Sequence, residues 1–115
     1  MQPPKSQVDR RIFQLHAEVC KTLANPIRLE ILGLLRDGEK AVNELAALTG
    51  IRQATVSQHL AVLRQRRVVS TRKEGANIFY RIANPRIIEA CDLIREVLFE
   101  QISEMEELVE KVERG

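Results

Sequence analysis

Between Ala46 and Val56 the chain carries the spacing that most restricts its fold: a small residue, a glycine four positions on, and a β-branched residue six beyond that. Two helices that meet at a sharp angle need a small side chain where their backbones approach. They also need a residue tolerant of positive φ in the turn, and an apolar anchor that packs the second helix on the first. Ala46, Gly50 and Val56 fill these roles in turn, which is a helix-turn-helix pattern. Alone the trio is common by chance among helical chains, and its neighbours sharpen it. The helix that follows, about Gln53 to Arg66, turns Val56, Leu60 and Leu63 inward and carries the polar residues Gln53, Thr55, Ser57, Gln58 and His59. Such side chains suit a major groove about 12 Å wide. Next come Val68–Lys73 and Ile78–Ile82, two β-branched or aromatic runs joined by Glu74-Gly75-Ala76-Asn77. That is a hairpin signal, with Arg72 and Lys73 near its tip.

The flanking segments read as helices. From Val8 to Leu23, Val8, Ile12, Leu15 and Val19 form one apolar strip, and Phe13, Cys20 and Leu23 an adjacent one. A helix with two apolar faces in so small a chain points to burial between subunits. Asn25-Pro26 combines an N-cap acceptor with a proline that loses no needed donor, and starts a helix through Leu29, Ile31, Leu32 and Leu35 that stops near Asp37-Gly38. A short helix covers about Val42 to Leu48. Asn84-Pro85 repeats the start signal, and the last helix runs to about Val112. Its seam of Cys91, Ile94, Leu98, Ile102, Met105, Val109 and Val112 averages 3.5 residues per step, the period of a coiled-coil stripe. The expected fold is mainly α with a small β-hairpin. It forms one winged domain over 1–115, with 8–23 and 84–112 as dimerisation helices, 41–66 as the helix-turn-helix and 67–82 as the wing.

Charge is uneven along the chain. The 115 residues sum to only +2, yet Ile51–Lys73 holds Arg52, Arg64, Arg66, Arg67, Arg72 and Lys73 with no carboxylate, whereas Glu96–Gly115 is acidic. A basic middle beside an acidic tail is the footprint of a nucleic-acid binder. An enzyme is not expected: the chain has no GxGxxG, no Walker loop and no paired His and Asp near a Ser. The absence of a long apolar run or a signal-type N-terminus, and two cysteines too few for a disulfide scaffold, give a cytoplasmic expectation without membrane contact. The competing reading is a dimeric protein-interaction module without specific DNA binding.

In four ordered stretches the chain resembles the ArsR/SmtB family of winged-helix repressors. They are Leu23-Ala24-Asn25-Pro26-Ile27-Arg28-Leu29-Glu30-Ile31-Leu32, Val42-Asn43-Glu44-Leu45, Thr55-Val56-Ser57-Gln58-His59-Leu60-Ala61-Val62-Leu63 and Gly75-Ala76-Asn77-Ile78-Phe79-Tyr80-Arg81-Ile82. The resemblance implies a homodimer joined through its first and last helices that leaves an operator of double-stranded DNA when an inducer binds. It implies base or phosphate contacts from Gln53, Thr55, Ser57 and Gln58. His59 reads as a phosphate or helix-packing contact, and Arg52, Arg64, Arg72 and Lys73 as phosphate or minor-groove contacts. Phe79 and Tyr80 read as wing core.

The family's familiar metal sites do not carry over, and no cofactor is expected. The Cys-Val-Cys site falls on Ala41 and Asn43, and the Asp, His, His, Glu site on Asn84, Arg86, Val97 and Glu100. Three readings of the signal remain. Cys20 and Cys91 form a thiol switch open to oxidation or persulfidation; or both are buried hydrophobes; or His16 and Cys20, four apart, join Cys91 or Asp92 in a non-classical metal or metalloid site. Family members that sense oxidants place a cysteine where this chain has Gly33.

Overall fold

The computed structural model describes residues 9–115; Val8, counted above with the first helix, lies outside the described residues. The elements run α1 (Arg10–Leu23), α2 (Pro26–Leu34) with a 3₁₀ turn at Leu35–Asp37, β1 (Lys40–Ala41), α3 (Val42–Thr49), α4 (Gln53–Gln65), β2 (Val69–Glu74), β3 (Asn77–Ile82) and α5 (Pro85–Arg114). They divide into two compact units, one ending at Ala83 and one spanning Asn84–Gly115. In the first, helices pack around an apolar centre beside an antiparallel sheet of order β1-β3-β2. The winged helix-turn-helix is this unit's architecture. No helix of the described residues is long and apolar enough to cross a membrane.

The helix starts are chemical. The Asn25 side-chain oxygen accepts from the Ile27 and Arg28 amides at 2.9 and 3.2 Å, and Asn84 accepts from the Arg86 amide at 3.0 Å. Each Asn thereby satisfies amides that have no helical carbonyl behind them, with proline at the first helical position. At α3 the reciprocal half is seen: the Ala41 amide donates to Glu44 Oε1 at 3.1 Å, since the alanine methyl cannot accept. Gly50 closes α3 at φ +72°, its amide donating to the Ala46 carbonyl at 2.9 Å. The sharp turn between the two helices rests on that left-handed residue. The centre is Ile31, Leu32 and Leu35 from α2 and its 3₁₀ turn, Leu45 from α3, and Val56, Leu60 and Leu63 from α4.

The end of α4 departs from the common pattern. Arg67 sits at φ +60°, the one positive-φ residue other than glycine among those described. Its amide donates to Arg64 O at 3.0 Å and the Val68 amide reaches back to Leu63 O at 2.9 Å. This is the Schellman arrangement, completed by the buried pair Leu63 and Val68, with arginine where glycine is usual. A Cβ in left-handed backbone is strained. Arg67→Gly is therefore expected to raise stability by about 0.5–1 kcal/mol, net of the extra freedom glycine gives the unfolded chain. Denaturant titration checks this, and a destabilised variant would mean that the arginine side chain more than offsets the strain.

The sheet holds one strand that the sequence did not announce. Lys40 and Ala41 pair with Tyr80 and Phe79, so the hairpin becomes three-stranded. β2 and β3 pair from Val69↔Ile82 to Glu74↔Asn77, which shortens the connection to Gly75-Ala76. Gly75 takes φ +61° at the first central position, where a two-residue turn of this kind needs it. In the second unit, α5 carries an exposed apolar face that includes Leu98, Ile102, Met105, Val109 and Val112. α1 separately exposes Ile12, Phe13 and Leu15.

Candidate nucleic-acid interface

The buried stripe of α4 fixes which side chains face outward. With Val56, Leu60 and Leu63 inside, Gln53, Ser57, Gln58 and Arg64 are exposed, and Thr55 and His59 lie half-buried at the flanks. The N-cap of α4, Arg52, makes no side-chain capping bond. Its first amides are left without a side-chain acceptor, and the helix dipole adds partial positive charge there. Beside this end, a groove of about 570 Å³ runs between α3, α4 and the wing, lined by Asn43, Gln53 and Ser57 on the helices and by Asn77, Ile78 and Tyr80 on β3. The arrangement sets neutral hydrogen-bonding groups in a concave strip between a helix end and a hairpin.

The basic residues separate into two kinds. Arg66 donates to Glu18 at 2.9 Å, tying the end of α4 to α1. Arg72, expected from sequence to meet DNA, is held by two carboxylates: its Nε reaches Glu39 Oε2 at 3.1 Å and its Nη1 reaches Glu74 Oε2 at 2.7 Å. Its guanidinium also lies 4.8 Å from the centroid of the Phe79 ring. The hydrogen bond from Arg72 holds the Glu39 carboxyl below the usual carboxylate range. Arg72 thus clasps the wing to the segment before β1, and phosphate would compete with two carboxylates for it. Arg52, Arg64, Arg67 and Lys73 are exposed and have no carboxylate partner among the described residues.

His59 is tied down from an unexpected direction. Arg28 Nε donates to His59 Nδ1 at 3.1 Å, and Arg28 Nη1 donates to the Thr22 carbonyl at 3.1 Å. Burial first, and then the Arg28 charge, push the His59 pKa down from its ordinary value. The sequence reading missed Arg28, whose partner lies 31 positions away. It also missed Arg67, whose conformation leaves no mark in a helical pattern. Phe79 and Tyr80 are half-buried in the wing.

The candidate sensor residues differ in exposure. Cys20 is exposed on α1, Cys91 is buried on α5, and His16 is exposed. Among the described residues no group of three or more His, Cys, Asp or Glu is placed to hold a metal ion.

Comparison with known proteins places these features. Residues 25–71 match the model of a family described as bacterial regulatory protein, arsR family. The chain is 37% identical over 105 residues to the HTH-type transcriptional regulator Rv0081 of Mycobacterium tuberculosis, covering 90% of this chain and 92% of the relative. It is 44% identical over 90 residues to the biofilm growth-associated repressor of Agrobacterium fabrum, covering 76% of each. The solution structure of a homodimeric winged helix-turn-helix DNA-binding domain, Mb0332 from Mycobacterium bovis, superposes with a TM-score of 0.74 at 37% identity, covering 86% of this chain and 94% of that one.

Proposed function

Because the chain belongs to the ArsR family of bacterial regulatory proteins, we propose that it represses transcription as a homodimer that reads an operator in duplex DNA. The observation that carries this reading is the α4 surface: neutral hydrogen-bonding side chains at Gln53, Ser57 and Gln58, flanked by the exposed cations Arg52, Arg64 and Lys73, which have no carboxylate partner among the described residues. Gln and Ser both donate and accept, which fits base edges, while the cations fit phosphates and set register. The open N-terminus of α4 adds amides for a phosphate at the groove. Two copies are needed because one α4 spans only a half-site. The exposed apolar faces of α1 and α5 are the surfaces available to join them. The operator is then an inverted repeat with half-site centres about one helical turn apart or a little more.

The test separates the two kinds of contact. Gln58→Ala is expected to cost about 1–3 kcal/mol on the operator and to relax sequence choice, with little change on random DNA. Lys73→Ala is expected to weaken both DNAs alike and to make the salt slope shallower by about one per protomer. Both are read by fluorescence titration against operator and scrambled duplexes. If the two variants lose affinity in the same pattern, the division of roles fails.

A further inference from the structure

We propose that Arg28 is a positioning residue for DNA binding: its bond to His59 Nδ1 fixes the imidazole as the tautomer that presents an Nε2–H donor from α4 to the duplex. The inference rests on the DNA-binding reading above and deepens it.

A guanidinium carries only donors and stays protonated, so a nitrogen that accepts from Arg28 Nε must itself be bare. At 3.1 Å, His59 Nδ1 is that acceptor, and a neutral imidazole then holds its proton on Nε2. The lowered pKa of His59 agrees with this neutral form. Arg28 is in turn held by its second bond, to the Thr22 carbonyl at 3.1 Å, in the last turn of α1 where carbonyls lack a helical amide ahead of them. One side chain of α2 therefore joins the end of α1 to the middle of α4.

The other edge of the ring is free for work. His59 has no second hydrogen bond among the described residues, and none of their side-chain nitrogens or oxygens is buried without a partner. Nε2–H must therefore meet solvent. It does so from α4, one residue after Gln58 and five before Arg64, both exposed. A neutral N–H there suits a phosphate oxygen or a base acceptor. Being uncharged, it releases no counterion, so it adds affinity without adding to the salt slope. That property distinguishes it from every lysine and arginine of the interface.

The experiment uses the full-length protein, labelled with ¹⁵N, as wild type, Arg28→Met, His59→Gln and the double variant. Circular dichroism verifies that each is folded. Long-range imidazole spectra are expected to show His59 protonated on Nε2 in the wild type and as a tautomer mixture in Arg28→Met. Operator affinity of Arg28→Met is expected to fall about tenfold with an unchanged salt slope, the scale of one lost directed hydrogen bond. His59→Gln keeps an N–H near the Nε2 position without needing a neighbour to fix it. In that background Arg28→Met is expected to cost less than about twofold. An unchanged tautomer in Arg28→Met, or an equal loss in both backgrounds, would overturn the proposal and leave Arg28 as a pin between helices. A wild type without affinity for duplex DNA fails the DNA-binding reading itself, and that is seen before any variant is compared.

Discussion

Raising salt from about 50 to about 200 mM is expected to weaken the dimer–DNA complex about a thousandfold. The size of the effect follows from the cations that folding leaves without a carboxylate partner among the described residues. Arg52, Arg64, Arg67 and Lys73 have no carboxylate partner among the described residues, whereas Arg66 and Arg72 are already paired. A dimer that engages about six phosphates with those cations releases about 0.9 counterion for each, giving a log–log slope near −5. A fourfold rise in salt then costs about three decades. Fluorescence anisotropy on a fixed duplex at several salt concentrations measures the slope. A slope shallower than about −2 would show that the exposed arginines coat the helix without touching the duplex. Glu39→Gln offers a built-in contrast, because loosening Arg72 makes the slope steeper if phosphate can then take the guanidinium.

The second large effect lies on α5. Leu98 and Ile102 are 49% and 53% exposed in the single chain, so glutamate at both positions leaves the helix-turn-helix core of Ile31, Leu45 and Leu60 undisturbed. In a dimer seated on this stripe, each glutamate would place an uncompensated charge in an apolar seam. Removing compensation from a buried charge costs about 3–5 kcal/mol. Two such charges per protomer are expected to raise the dimer dissociation constant by at least about four orders of magnitude. Operator binding is expected to go with it, since in the proposed reading a lone α4 meets only half the site. Sedimentation equilibrium reports the assembly state, and circular dichroism verifies that the helices persist. A double variant that still dimerises with unchanged affinity would move the seam away from this face of α5.

What the sequence disclosed was local. Asn25-Pro26, Asn84-Pro85 and Gly50 act within a few residues of themselves, and each cap lies where its chemistry predicts. The buried stripe of α4 follows from a period, which composition cannot hide. What stayed hidden depends on distance along the chain. β1 has two residues, too few to display any alternation, and exists because Tyr80 and Phe79 supply its partners. The carboxylate-free run Ile51–Lys73 suggested six free cations. Folding brings Glu18 to Arg66 across 48 positions and Glu39 to Arg72 across 33. Arg28 reaches His59 in the same way. Arg67 escaped for another reason: a left-handed arginine obeys hydrogen-bond geometry at a helix end and breaks the residue preference that sequence reading depends on. The signal was the least legible of all, since Cys20 and Cys91 stand on different helices, one exposed and one buried, and no local spacing links them.

The pairing of Lys40 and Ala41 with Tyr80 and Phe79 has a mechanical consequence. Because Ala41 leads directly into α3, and α3 leads through Gly50 into α4, the hairpin and α4 are bolted to one short rail of main-chain bonds. A flap on a tether could widen or narrow its grip to suit any double helix. A caliper of set jaw width cannot. A double helix read by this pair is then expected to do the adjusting, with base steps that bend or compress cheaply favoured even where no side chain reaches them. On the DNA-binding reading proposed above, the preferred sites of this protein are expected to be selected for deformability as well as for letters.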